Sequence, residues 1–211
     1  MTYKYWNFYC RRKKVIVINL IFTIALLSIY PDSYCQNIKD FPGYVKSMGM
    51  TYKAPSSFIE TQVDNSYRPG NDMVISAFFY ELSSQKSDIL ITISILDLTH
   101  INDSISRIVS PRNAYGKNLD FLRGIQIESD VSRDQLIFIS NKETEKFYNA
   151  DNAAIYKFRN NRSYKGNKFC KVVLIHKKDR ADIQLYYWYN DNSKDLVDAI
   201  MEQTRTMLRF N

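Results

Sequence analysis

The sequence predicts an α+β fold, a twisted antiparallel sheet with helices packed on it. Three observations carry that prediction. Residues 171–189 read as strand, charged turn and strand. Residues 89–98 alternate apolar and polar positions, with Ile89, Ile91, Ile93 and Ile95 on one face and Thr92 and Ser94 on the other. The last twenty or so residues carry an amphipathic pattern of helical spacing. The order of elements is strands, helices, strands, helix, which suits one antiparallel sheet roofed by helices rather than a parallel α/β design.

The chain opens on an address. Lys4, Arg11, Arg12, Lys13 and Lys14 precede a nearly unbroken apolar run over residues 15–30, and Pro31-Asp32 breaks it. Ser33 and Cys35 supply small residues before Gln36, the layout of a secretory signal peptide over residues 1–35. The run is short of the roughly 20 residues that cross a bilayer comfortably. The expected location is therefore periplasmic or extracellular. The alternatives are an anchor formed by uncleaved residues 15–30 and lipidation at Cys35, and the membrane is a partner only if the leader is retained.

After a lead-in over residues 36–47, residues 48–211 are expected to form a single domain. Met50-Thr51-Tyr52-Lys53-Ala54-Pro55 is a short strand, and residues 58–63 continue it after a bend. Asp64-Asn65-Ser66 and Arg68-Pro69-Gly70 are turn chemistry. Residues 73–82 form a strand apolar on both faces, followed by a loop over 83–88 and the alternating strand of 89–98. Ile101, Ile105, Ile108 and Val109 have helical spacing, stopped by Pro111. Leu119, Leu122 and Ile125 suggest a second short helix.

Leu136-Ile137-Phe138-Ile139 is the next strand, and residues 141–146 read as an exposed charged stretch. Phe147-Tyr148 and residues 153–158 read as a further strand around Asn149-Ala150-Asp151-Asn152, and residues 159–168 as a polar turn. Then come the hairpin of 171–189 and a closing helix, with Ser193 as N-cap and Leu196, Val197, Ile200, Thr204, Met207 and Leu208 as its buried stripe.

Four of these features resemble the PsbP-like fold. They are the Met50–Pro55 hexapeptide, the Tyr148-Asn149-Ala150-Asp151 step before a strand, the hairpin of 171–189, and the terminal helix ending in Arg209-Phe210. The resemblance covers most of residues 48–211. It implies a twisted antiparallel sheet sandwiched by helices, and a binding or assembly role more than catalysis. It transfers no catalytic residue, because fold alone does not carry function.

The chemistry in the chain is sparse. Of the net charge of +7, four units belong to residues 1–35, and the +3 that is left forms no cluster longer than Lys177-Lys178. That gives no case for nucleic acid. The two histidines, His100 and His176, have no second histidine at metal-ligand spacing, and no zinc, phosphate-loop or dinucleotide motif occurs. No cofactor, metal or catalytic residue is assigned. A site combining Cys170, His176 and a carboxylate is the enzyme alternative, hydrolase-like or zinc-bearing. The bland reading of Cys170 is a buried thiol.

Aromatics are the unusual feature, with 16 Tyr and 12 Phe. Ile183, Leu185, Tyr187 and Tyr189 share one face of their strand, and Gln184, Tyr186 and Trp188 share the other. If helices cover only the first face, Tyr186 and Trp188 are open to a protein, peptide or glycan partner. If both faces are covered, they are core. Asp151 and His176 complete the candidate binding residues. Their bland readings are a turn carboxylate and a partly exposed strand-end side chain. The function expected from these features is an exported, non-enzymatic binding or accessory protein. A membrane-tethered interaction protein is the further alternative.

Overall fold

The computed structural model describes residues 39–64, 66–67, 78–99 and 136–211, with 158–162 as backbone only. At its centre is the expected hairpin, β7 (Asn167–Lys177) and β8 (Ala181–Tyr189). Its register runs from Phe169↔Tyr189 to Lys177↔Ala181. The turn needs one left-handed residue, and Asp179 takes it at φ 57°. Aspartate tolerates that conformation better than most residues.

Five more strands complete an antiparallel sheet: β2 (Phe58–Thr61), β3 (Tyr80–Ser84), β4 (Leu90–Asp97), β5 (Ile137–Phe138) and β6 (Asn152–Tyr164). Their order is β2-β3-β4-β8-β7-β6-β5. A separate two-stranded ladder joins β1 (Met50–Tyr52) to the carboxy-terminal strand β9 (Leu208–Phe210). Three short helices are described: α1 (Phe41–Ser47), α2 (Asn141–Tyr148) and α3 (Val197–Gln203). The fold class is α+β. Among the described residues no helix is long and apolar enough to cross a membrane.

The centre of the sheet is buried on both faces. On one face Ile91, Ile93, Val173, Ile175, Leu185 and Tyr187 meet side chains from α1, α3, β1 and β9. On the other, Val172, Leu174, Tyr186 and Trp188 pack with Tyr67, Phe78 and Tyr164. Two covered faces explain why β7 and β8 are apolar almost throughout, where a half-exposed strand would alternate.

Several local expectations are corrected. The lead-in contains a helix. The Asp40 carboxylate accepts the Gly43 N–H at 2.9 Å, and Pro42 sits in the first turn, where its missing donor costs nothing. Phe41 and Val45, four apart, bury one face of α1. Residues 58–63 do not extend β1; β2 pairs with β3 in the larger sheet. Strand β3 runs to Ser84, into the expected loop.

The charged stretch after Ser140 is helical, and Phe147 and Tyr148 end that helix rather than start a strand. Ser140 accepts the Glu143 N–H at 3.3 Å and donates to its carboxylate at 2.8 Å. This is the Ser-x-x-Glu capping pair. The supposed polar turn of 159–168 is mostly strand, and the chain reverses at Lys165-Gly166, both at positive φ.

The closing helix is the largest correction. It begins at Val197, ends at Gln203, and has no side-chain N-cap. Ser193 instead donates to the Asp88 carboxylate, and Leu196 is 48% exposed. Thr204 lies beyond the last helical residue, and its hydroxyl bonds the Ile200 carbonyl at 2.8 Å. Met207 and Leu208 are buried as expected, but in a turn and a strand. Main-chain pairing of Leu208–Phe210 with β1 overrides the helical spacing. The helices inferred around residues 101–109 and 119–125, the strand start at 73–77, and the leader lie outside the described residues.

Candidate functional site

The aromatic pair singled out from the sequence is interior. Tyr186 and Trp188 are fully buried, so they do not form an open platform. Their rings lie nearly parallel with centroids 5.9 Å apart, and Tyr164 stacks on Trp188 at 4.8 Å. The Tyr186 hydroxyl donates to Gln184 Oε1 at 2.7 Å. A sequence that shows two apolar faces cannot say that both are covered.

His176 is also buried, not partly exposed, and its Nδ1 lies 2.6 Å from Asp182 Oδ1 on the neighbouring strand. Cys170 is buried too. It shares a sheet face with His176, but six residues of extended strand put them roughly 20 Å apart. The geometry therefore does not bring together the thiol and imidazole that an enzyme or zinc site would need. Among the described residues no group of three His, Cys, Asp or Glu is placed to hold a metal ion.

Asp151 braces a turn. Its carboxylate accepts the Lys178 N–H at 2.7 Å and faces Lys177 Nζ at 3.6 Å. His100 lies outside the described residues.

A buried acidic knot that the sequence did not suggest sits on the aromatic face. Glu81 receives hydrogen bonds from Thr61 Oγ1 at 2.5 Å, from Lys165 Nζ at 2.6 Å and from the Tyr164 hydroxyl. Burial, and then the bond to Glu81, push the Tyr164 phenol well above its ordinary range. The carboxylate is enclosed and has polar partners, so the knot ties β3 to the β6–β7 turn rather than presenting a site.

One open groove, of about 340 Å³, lies between α2, α3 and β5, an edge strand of the described sheet. Ile139, Ile155, Val173 and Met201 supply its apolar lining. Ile137 and Phe138 flank it and are 66% and 49% exposed. Glu143 comes from α2, Asp198 and Glu202 from α3, and Arg205 from the turn after it.

Arg205 organises this end. It pairs with Glu143 and with Glu202, each at 3.1 Å, and its guanidinium lies 3.6 Å over the Phe147 ring. Burial raises the Tyr148 phenol, while Arg205 pulls it back. Lys171, buried on β7, reaches Asp198. The arrangement is an apolar trough with a charged rim. The signal in the sequence was Ile137-Phe138 beside a charged helix, which by itself looks like any short strand.

Among solved structures, the chain is similar to the solution structure of cyanobacterial PsbP (CyanoP) from Synechocystis sp. PCC 6803. The identity is 11%, the match covers 78% of this chain and 88% of that one, and the TM-score is 0.41. The likeness is a weak one, at the level of the fold. No family model and no curated protein matches the chain.

Proposed function

We propose that this chain is an exported, non-enzymatic binding or accessory protein whose binding site is the groove between α2, α3 and β5. The observation that carries the reading is the pair Ile137 and Phe138, two large apolar side chains left open to water beside an apolar trough. Exposed apolar surface rimmed by polar groups is how ligand grooves and partner sites usually present themselves. The basic, apolar and small-residue sequence of residues 1–35 supports export, to the periplasm or the extracellular space.

The test is chemical-shift mapping on the purified protein against a panel of peptides, oligosaccharides and fatty acids. A saturable ligand that moves Ile137, Phe138, Met201 and Arg205 is the expected result. Saturable binding that maps only to the second groove, about 210 Å³ and lined by Phe58, Leu196, Ile200 and Gln203, would relocate the site. Turnover of a substrate, abolished by one substitution, would replace the reading with an enzyme. Mass spectrometry of the native amino terminus tests export separately: a chain starting at Gln36 is expected, and a retained residue 15–30 segment overturns it.

A further inference from the structure

Resting on that groove as the binding site, we infer that its occupant is an extended, basic polypeptide segment that adds as a strand to β5. The first argument is the polarity of the edge. Ile139 N–H donates to the Ala153 carbonyl at 2.9 Å, and the register pairs Ile137 with Ile155 and Phe138 with Ala154. Hydrogen-bonded pairs alternate along an antiparallel ladder, so Ile137 and Ile139 turn their main-chain groups toward β6. Phe138 therefore turns its N–H and C=O outward, along the edge of the described sheet.

Proteins usually guard such an edge with charge, proline or a bulge. Here the two residues of the edge strand are apolar and open. An added strand would satisfy the outward main-chain groups and place alternate side chains in the trough, the recognised mode of strand addition.

The second argument is charge. The carboxylates of the rim face water: the Asp198, Glu202 and Glu143 side chains are 75%, 68% and 48% exposed. Their cations lie beneath them, Arg205 at 17% and Lys171 at 8%. An approaching ligand meets three acids before it meets either base. That favours lysine or arginine side chains and disfavours fatty acids, phosphates and acidic peptides.

The experiment is fluorescence anisotropy with a labelled hexapeptide of alternating lysine and valine, titrated with the purified protein. Two control peptides accompany it: the same sequence with the amides along one edge N-methylated, and a version with glutamate for lysine. Saturable binding of the first, weakened about tenfold or more in each control, is expected for main-chain pairing plus charge. On the protein side, Phe138→Pro removes the outward N–H at an edge position that tolerates proline, and Phe138→Ala keeps it. Binding lost in the first and only weakened in the second, which forfeits the apolar side chain but keeps the N–H, supports strand addition; equal effects overturn it. Glu202→Lys is expected to weaken the lysine peptide and strengthen the glutamate one, and no change overturns the charge argument. Circular dichroism of each variant establishes that the fold is kept.

If no peptide binds but an oligosaccharide or fatty acid moves the groove resonances, this inference fails and the groove stands. If no ligand of any class moves them, both fail.

Discussion

Trp188 donates its indole N–H to the Thr92 hydroxyl at 2.8 Å, with both side chains fully buried. The two residues are diagonal neighbours, because Thr92 faces Tyr186 directly and Trp188 faces Leu90. The bond explains how a tryptophan can be sealed inside the sheet. Its one polar atom has a partner, so burial carries no unmet donor. Thr92→Val keeps the volume and removes the acceptor. It is expected to destabilise the fold by about 1–3 kcal/mol. Urea unfolding checks this, and a change within experimental error would mean the indole is satisfied another way.

The carboxy-terminal strand acts as a clasp. Lys53 N–H bonds the Met207 carbonyl at 2.8 Å, and Asn211 N–H bonds the Gly49 carbonyl at 2.9 Å. Phe210 is buried between them, in the core of the helix-covered face. Phe210→Ala is expected to cost about 3–5 kcal/mol, the range for emptying a buried aromatic site. Hydrogen exchange should speed up first at Lys53 and Asn211, with the β7–β8 ladder following only on global unfolding.

The start of α2 should be sensitive to acid. The Ser140 hydroxyl first, and Arg205 after it, hold the Glu143 carboxyl below its usual range. A carboxyl lowered by folding adds stability that is complete above its unfolded value, about 4.3, and disappears as pH falls through the folded one. Glu143→Gln is therefore expected to flatten the acid limb of stability below that pH while leaving the alkaline limb unchanged. Denaturant midpoints measured across the acid range check this. Added salt should shrink the effect, because the pair is partly exposed.

At alkaline pH Tyr187 is the group to watch. Burial pushes its phenol up, and the bond to Thr204, at 2.9 Å, only partly opposes this. A phenol raised by folding contributes stability that is present below about pH 10, its ordinary value, and is lost as pH climbs toward the folded one. Tyr187→Phe is expected to reduce the alkaline loss and to cost about 1 kcal/mol at neutral pH, for the missing hydroxyl bond. Thermal melts at neutral and alkaline pH separate the two effects.

Much of the sheet was readable from the chain alone. Strand β4 stood out because its apolar and polar side chains alternate every second residue, and β7 and β8 because β-branched and aromatic runs suit a strand. Short helices were harder. α1 and α2 each have an N-cap, but their buried stripes are only two residues long, Phe41 with Val45 and Thr144 with Tyr148. A stripe that short does not stand out against a polar loop.

The groove was not readable at all. Its parts come from β5, α2, β6, β7, α3 and the turn after α3, and nothing in Ile137-Phe138 marks those two side chains as uncovered.

By itself, then, the order of residues determined the α+β class and the central hairpin, because alternation, turn residues and β-branched runs act over a few positions. Only the tertiary structure decided that Tyr186 and Trp188 are core, that Leu208–Phe210 is a strand, and that Ile137 and Phe138 of β5 are left open. Burial depends on what distant segments cover, and main-chain pairing on which edges meet. Neither is a local property of the chain.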